Sequence, residues 1–232
     1  FSKNIDDTCL ISHVISGADK FDSTVSIKKP NKKTINNVDK KLNIGIPEDY
    51  LNFKNLDPEI KEKTLSVIEN LKSKGHHIEL LKFPYLEYIV PTYYVLSTAE
   101  ASSNLSRYDG AHFGLRSYDS SDINTTYENT RSEGFGIEVK RRIMLGNFVL
   151  SSGYYDAYFT KAQKVRRLIS QKTFQMLEKN DVLLFPTTPT TAFNIGEIED
   201  PVTMYLQDIF TVHANIVGLP AISIPIGKHS NN

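Results

Sequence analysis

Three consecutive cations, Lys140, Arg141 and Arg142, lie in a segment whose apolar residues recur at helical spacing. Those apolar residues are Ile137, Ile143, Met144 and Phe148. Adjacent residues of a helix point about 100° apart, so Arg141 and Arg142 cannot both serve the same face. An arginine that points inward offers a planar, permanently charged fork suited to a carboxylate. The alternative interpretation is a solvated run of lysine and arginine on a helix surface.

A single acid, Asp208, lies in the otherwise apolar segment 204–212, MYLQDIFTV. A lone acid among apolar residues can be a ligand-binding carboxylate. Taken alone, a solvent-facing or capping role explains Asp208 equally well.

The sequence contains no complete catalytic constellation, so we assign no catalytic residue. Its 12 glycines are never adjacent, and it has no G-x-G-x-x-G, phosphate-loop or G-x-S-x-G motif. The six histidines lack the spacing of metal ligands, and we expect structural or solvent roles for His76 and His77. The lone Cys9 cannot form an intrachain disulfide and is expected in the core.

Composition indicates an ordinary globular chain. Of its 232 residues, 40% are apolar and 23% are charged, and the formal net charge is zero. A neutral chain does not favour a broad electrostatic grip on nucleic acid. The lysine-rich residues 28–41 also contain proline and asparagine and are predicted to form a solvated loop. No apolar run approaches the roughly 18 residues that a membrane span needs, so we expect no membrane contact.

Helical and strand patterns alternate along the chain, which predicts an α/β fold in a single domain over residues 1–232. The predicted helices cover residues 6–16, 58–74, 92–106, 136–149, 152–179 and 201–217. The predicted strands cover residues 42–46, 77–83, 181–185 and 221–226. The short apolar run 181–185 is typical of a strand buried on both faces, whereas 115–130 is predicted to be a polar, irregular surface excursion.

Several long segments match one family in the right order, and they cover nearly the whole chain. They are RSEGFG…KRRIMLG…SSGYYDAY at 131–158, YYVLSTAEASSNLSRYDG at 93–110, DVLLFPTTPTTAFNIGE at 181–197 and DPVTMYLQDIFTVHANIVGLPAISIPIG at 200–227. These segments resemble the A subunits of the glutamyl-tRNA(Gln) amidotransferases, which are amidase-signature proteins. The resemblance implies part of an amidase-signature fold, a mixed β-sheet with helices on both faces.

The resemblance also implies a function. The complete protein would hydrolyse glutamine and deliver ammonia to a partner, the B subunit, and a small C subunit would brace the pair. There the ammonia would amidate misacylated Glu-tRNA(Gln) or Asp-tRNA(Asn) with ATP. The tRNA, ATP and Mg would bind mainly to the B subunit, so we expect no cofactor in this chain. The implied location is the bacterial cytoplasm or an organellar matrix or stroma.

The family is named for a Gly/Ser-rich stretch with two catalytic serines and an upstream lysine, and this sequence lacks that stretch. We therefore expect a C-terminal portion without the catalytic front and the tail, one that supplies the glutamine-binding side. The resemblance places Tyr93, Arg142 and Asp208 in the glutamine pocket, with Tyr94 and Arg141 left open as neighbours in register. Two alternatives remain, a fragment of a stand-alone amidase-signature hydrolase and a non-catalytic fragment.

Overall fold

A computed structural model of the chain describes residues 1–26, 40–118, 121–198 and 200–231. The strands within these residues are β1 (Asn43–Pro47), β2 (His77–Leu81) and β3 (Val182–Leu183). The α-helices are α1 (Ile5–Ile15), α2 (Glu48–Leu51), α3 (Pro58–Ser73), α4 (Leu86–Leu105), α5 (Ile123–Gly134), α6 (Ile137–Leu150), α7 (Lys161–Leu177), α8 (Pro201–Leu206) and α9 (Thr211–Val217). None of the described helices is long and apolar enough to cross a membrane.

A parallel sheet in the order β2–β1–β3 forms the centre of the described fold. Ile44 of β1 lies opposite Ile78 of β2 on one side and opposite Val182 of β3 on the other. Parallel neighbours require a crossover connection, and α3 supplies it between β1 and β2. The predicted α/β class is therefore confirmed.

Helices cover both faces of this sheet, as the resemblance implied. On one face, Ile44 and Ile46 of β1 pack with Ile68 of α3. On the other face, a larger apolar cluster joins residues of α2, α4, α7 and α9. Its most deeply buried members are Tyr50, Phe83, Ile89, Ile169 and Phe210. This second cluster fixes α4 and α9 relative to each other, and both helices lead to the candidate site.

Helix α3 begins where its sequence signals predicted. The side chain of Asp57 accepts hydrogen bonds from the backbone N–H groups of Glu59 at 2.8 Å and Ile60 at 3.1 Å. Pro58 occupies the first turn, where its missing N–H leaves no helical hydrogen bond unmade. Gly75, with φ of 85°, follows the last turn in the left-handed region that favours glycine.

The Gly-Phe-Gly turn also forms as predicted, and it separates α5 from α6. Helix α5 ends at Gly134, Phe135 is its C-cap, and Gly136 is the N-cap of α6. Starting α6 at residue 137 places Arg141 and Arg142 on its second turn.

Two predictions for the first two-thirds of the chain were wrong or incomplete, and a third is untested. Residues 115–130 are not wholly irregular, because Asp122 caps α5 through the N–H groups of Asn124 and Thr125. That cap overcomes the weak helix propensity of a Thr- and Asn-rich segment. Cys9 is exposed rather than in the core, since α1 buries none of its residues in this structure. The predicted loop at 28–41 lies almost entirely outside the described residues.

The C-terminal third differs from prediction at several elements. The strand predicted at 181–185 is limited to β3, an edge strand, and its Val182 is 42% exposed rather than buried on both faces. The predicted strand at 221–226 does not form, because its backbone has no strand beside it among the described residues. The helix predicted at 201–217 is divided into α8 and α9, with Asp208 between them. A π-helical turn at Asp156–Thr160 precedes α7 within the helix predicted at 152–179.

Helices α4 and α6 are in backbone contact at Gly146. A β-carbon on Gly146 would overlap the carbonyl oxygen of Thr98 and would lie 2.5 Å from the β-carbon of Ser102. Beside this contact, Ser102 Oγ donates a hydrogen bond to Asn147 Oδ1 at 2.6 Å. Alanine is the better helix former by about 1 kcal/mol. The clash outweighs that gain, because the obstructing atom belongs to the backbone of α4 and cannot rotate away.

We expect Gly146→Ala to lower the free energy of unfolding of the full-length protein by about 1–3 kcal/mol, the usual cost of overpacking a core. Urea denaturation measures this loss. The matched control is Gly153→Ala, where no atom lies within 4 Å of the added β-carbon. If the two variants were equally stable, the close approach of α4 and α6 at Gly146 would be wrong.

Candidate functional site

A cleft of about 570 Å³ opens between α4, α6 and α8. Four charged residues line it: Glu138, Arg141, Arg142 and Asp208. The remaining lining residues are Tyr94, Phe193, Ile198, Pro201, Met204, Tyr205 and Gln207. Charged groups of both signs therefore share one cleft with aromatic and apolar walls, which is the composition expected of a small-molecule site.

Glu138 is the centre of the polar contacts in this cleft. Its Oε2 lies 2.7 Å from Arg141 Nη1, and its Oε1 lies 2.9 Å from Arg142 Nε. From α8, the hydroxyl of Tyr205 donates to Glu138 Oε1 over 3.3 Å. The spacings of three and four residues let both arginines reach this glutamate, so the expectation that they could not serve the same face was wrong. The hydrogen bond from Arg142 lowers the pKa of Glu138, so this carboxylate is ionised at neutral pH.

Arg142 is held in place while part of its guanidinium stays free. Its Nε binds Glu138, whereas Nη1 and Nη2 make no hydrogen bond to any described residue. The guanidinium also lies over the ring of Tyr94, 5.5 Å from the ring centroid, in a cation–π contact. The hydrogen bond to Glu138 raises the pKa of Arg142. A carboxylate that enters the cleft can therefore bind the two free terminal nitrogens of a positioned cation.

Asp208 lies in the turn between α8 and α9. Its backbone is fixed, because its N–H donates to Tyr205 O at 3.2 Å and its carbonyl accepts from Val212 N at 3.0 Å. Its carboxylate makes no hydrogen bond or ion pair within the described part of the chain and is available to a ligand cation. Burial, and secondarily the charge of Asp208, raises the pKa of Tyr94 to about 12. The phenol of Tyr94 is thus an uncharged part of the cleft wall beside the exposed carboxylate of Asp208.

The structure brings two of the three predicted residues, Arg142 and Asp208, into the cleft. Tyr93 does not line it, but the open neighbour Tyr94 does, and its ring lies 4.1 Å from that of Tyr205. Tyr93 packs edge-on against Tyr94 and contacts the apolar core. Arg141 also lines the cleft, so the structure does not separate the two arginines by position alone. Whether any of these residues binds glutamine stays a prediction.

Sequence analysis missed Glu138 and Tyr205. The signal for Glu138 was present, since a glutamate three and four residues before two arginines forms helical ion pairs. Tyr205 gave no such signal, because its contact with Glu138 joins residues 67 positions apart. Only the packing of α8 beside α6 brings them together.

A larger cavity of about 660 Å³ lies along α3 and is lined by Glu59, Lys63 and Ser230 among others. Among the described residues its one lining cation is already paired, because Lys63 lies 3.2 Å from Glu59, which also accepts from Ser230 Oγ at 2.6 Å. It also lacks an unpaired cation facing an unpaired acid. We therefore take the smaller cleft between α4, α6 and α8 as the candidate site. No group of His, Cys, Asp and Glu among the described residues could hold a metal ion.

The family to which this chain belongs follows from comparison with known proteins. The amidase family model matches residues 1–232, the entire sequence. The parallel sheet covered on both faces by helices agrees with this match. The chain belongs to the amidase family.

Its curated relatives specify the branch it resembles. The A subunit of glutamyl-tRNA(Gln) amidotransferase from Halothermothrix orenii is 49% identical over 233 aligned residues, which cover 100% of this chain and 49% of that protein. The same protein of Fusobacterium nucleatum is 47% identical and aligns with 99% of this chain and 47% of its own length. The chain thus spans about half the length of the curated relatives it matches.

Solved structures agree with this assignment. The A subunit of glutamyl-tRNA(Gln) amidotransferase from Thermotoga maritima superposes with a TM-score of 0.72 at 38% identity, over 99% of this chain and 45% of that one. A bacterial aryl acylamidase of the amidase-signature enzymes superposes with a TM-score of 0.66 at 17% identity, over 99% of this chain and 46% of that one. The second likeness concerns the fold alone.

Proposed function

We propose that the complete protein is the glutaminase subunit of a tRNA-dependent amidotransferase. It hydrolyses glutamine and passes ammonia to a partner protein. There the ammonia amidates misacylated Glu-tRNA(Gln) or Asp-tRNA(Asn) at the expense of ATP. The residues described here supply the glutamine-binding side of the glutaminase, at the cleft between α4, α6 and α8.

One observation carries the proposal: a positioned arginine with free terminal nitrogens and an unpaired carboxylate line the same cleft. Arg142 suits the α-carboxylate of glutamine, because a guanidinium can bind a carboxylate through two hydrogen bonds. Asp208 suits the α-ammonium. A simple amide substrate has no α-carboxylate and no α-ammonium, so a hydrolase acting on it does not need a cation and a carboxylate to bind them. The presence of both Arg142 and Asp208 therefore favours an amino-acid substrate. The relatives named above support the same choice.

The chemistry itself belongs to other parts of the assembly. The family's serine pair and lysine precede the matched region, ATP and Mg belong to the partner B subunit, and the complex is braced by the C subunit. This sequence has no phosphate-binding loop of its own. The role of Arg142 and Asp208 is to bind and orient glutamine so that its side-chain amide is presented to the serine.

The test is transfer in the reconstituted complex. The full-length protein, supplied with the B and C subunits, ATP, Mg and misacylated tRNA, should convert Glu-tRNA(Gln) or Asp-tRNA(Asn) to the amidated form with glutamine as donor. The 232-residue chain added in place of the full-length protein should release no ammonia from glutamine above a buffer blank. Hydrolysis of diverse amides without any transfer to tRNA would instead identify a stand-alone hydrolase, and the proposal would be wrong.

A further inference from the structure

The charged residues of the cleft balance one another. Two cations, Arg141 and Arg142, and two carboxylates, Glu138 and Asp208, line it among the residues that the structure describes. Among the described residues of the cleft, the two positive and two negative side chains therefore cancel.

Glu138 is the residue on which this balance depends. Its two carboxylate oxygens bind different arginines, Oε1 Arg142 and Oε2 Arg141, so its charge is fixed between both cations. Asp208 has no such partner among the described residues and remains available to a ligand ammonium. Without Glu138 the cleft would hold two cations against one carboxylate. It would then attract anions more strongly than neutral molecules.

We propose that Glu138 is a specificity-determining residue that cancels the surplus positive charge of the two arginines, so that the cleft binds an amino acid of zero net charge in preference to its anionic counterpart. This inference rests on the proposed function. Glutamine and glutamate have almost the same shape, and both present one α-carboxylate and one α-ammonium. They differ at the side-chain terminus, where hydrolysis replaces a neutral amide with a carboxylate.

The physical consequence is release of product. The charged residues described here cancel, so together they give the extra negative charge of glutamate no net attraction, and desolvating that charge then disfavours binding. A cleft with a surplus cation would offset this cost and retain the product. Glu138 thus positions Arg142 for the α-carboxylate of the ligand. It also cancels the positive charge of Arg141, which would otherwise favour binding of glutamate. Discrimination follows from charge where shape cannot provide it.

Glu138→Gln tests the inference in the full-length protein within its complex. The carboxamide keeps one oxygen that accepts from Arg142 or Tyr205, but it removes the negative charge. We measure the KM for glutamine and the inhibition constant of glutamate in the same ammonia-release assay. The ratio of the glutamate constant to the glutamine KM should fall by about 3- to 10-fold, the size expected for one partly screened charge in an open cleft. The matched control is Glu128→Gln, an exposed glutamate on α5 outside the cleft.

The outcomes separate the possible roles of Glu138. If it acted only as a structural support, both constants would rise together and their ratio would stay constant, which would overturn the inference. A second measurement compares salt dependence. Inhibition by glutamate should weaken more with added salt in Glu138→Gln than in the wild type, because the variant leaves one arginine charge uncancelled. Equal salt dependence in the two proteins would also overturn the inference. If the wild type failed to hydrolyse glutamine, the proposed function would be refuted. The role of Glu138 could then still be tested, because calorimetry measures the affinities for glutamate and glutamine without catalysis.

Discussion

Arg142→Ala and Asp208→Ala should each raise the KM for glutamine strongly in the full-length protein, with a much smaller change in kcat. Losing one partner of a charge-assisted contact costs about 2–5 kcal/mol, or about 30- to 5,000-fold in glutamine efficiency. Asp208 is exposed and should lie at the lower end of that range. In the proposed function both residues bind the α-groups, away from the scissile amide, so we expect the intrinsic reactivity of the catalytic serine to be preserved. Steady-state ammonia release over a range of glutamine concentrations measures the effect.

Two further variants sharpen this experiment. Arg142→Lys should not restore full efficiency, because an ammonium cannot reproduce the two parallel hydrogen bonds of a guanidinium. Arg141→Ala is the matched neighbour, since Arg141 also lines the cleft and pairs with Glu138. If Arg141→Ala were the damaging change, the arginine assignment would shift by one residue and the mechanism would stand.

Free ammonia provides an internal control for both alanine variants. If the proposed function is right, ammonia-supported amidation of misacylated tRNA bypasses the cleft, so it should proceed at the wild-type rate. If it declined as far as glutamine-supported amidation, Arg142 and Asp208 would have a structural role and the pocket assignment would be wrong.

Local signals predicted those parts of the fold that local chemistry determines. The cap of α3 at Asp57 and the turn at Gly134–Gly136 were readable because each depends on residues only a few positions apart. The placement of Arg142 on α6 follows from that turn. Asp208 stood out as a single acid among apolar neighbours, and it does lie at the edge of the cleft.

Long-range pairing was not predictable in the same way. Residues 221–226 alternate as a strand should, yet a strand exists only where a neighbour completes its hydrogen bonds, and none of the described residues does so. Tyr93 and Tyr94 point about 100° apart on α4. Which of them faces the cleft depends on how α4 is rotated about its axis, and tertiary packing determines that rotation. Tyr205 reaches Glu138 only because α8 packs beside α6. A linear pattern contains no information on these three relations.

A buried histidine on α9, His213, connects this helix to α2 and α7. The Oγ of Thr173 donates to the carbonyl of Ile169 at 2.8 Å, so it accepts from His213 Nε2 at 2.7 Å. The other ring nitrogen, Nδ1, then accepts from the hydroxyl of Tyr50 at 2.5 Å. The ring also stacks on Phe83, with centroids 4.7 Å apart. Both nitrogens are satisfied only while the imidazole is neutral.

Burial lowers the pKa of His213 from its ordinary 6.5 to about 4. The unfolded chain therefore binds a proton at a pH where the folded chain does not. Stability from this residue is complete above pH 6.5 and is lost as the pH falls from 6.5 towards 4. At about 1.4 kcal/mol per unit of pKa, the loss reaches about 3 kcal/mol near pH 4. The carboxyl groups whose pKa is lowered, such as that of Asp57, lose their stabilising contribution at still lower pH.

We therefore expect the full-length protein to lose about 3 kcal/mol of unfolding free energy between pH 7.5 and pH 4 through His213 alone. His213→Gln removes the titrating group, so its unfolding free energy should change much less over that interval, even if it is less stable at pH 7.5. The matched control is His77→Gln, an exposed histidine at the start of β2, which should keep the wild-type pH dependence.

NMR of the wild-type ring provides a second measurement, because the neutral Nε2–H tautomer should persist at pH 5. A ring that titrated near 6.5, or a His213→Gln variant with the wild-type slope, would show that α9 does not depend on a neutral imidazole.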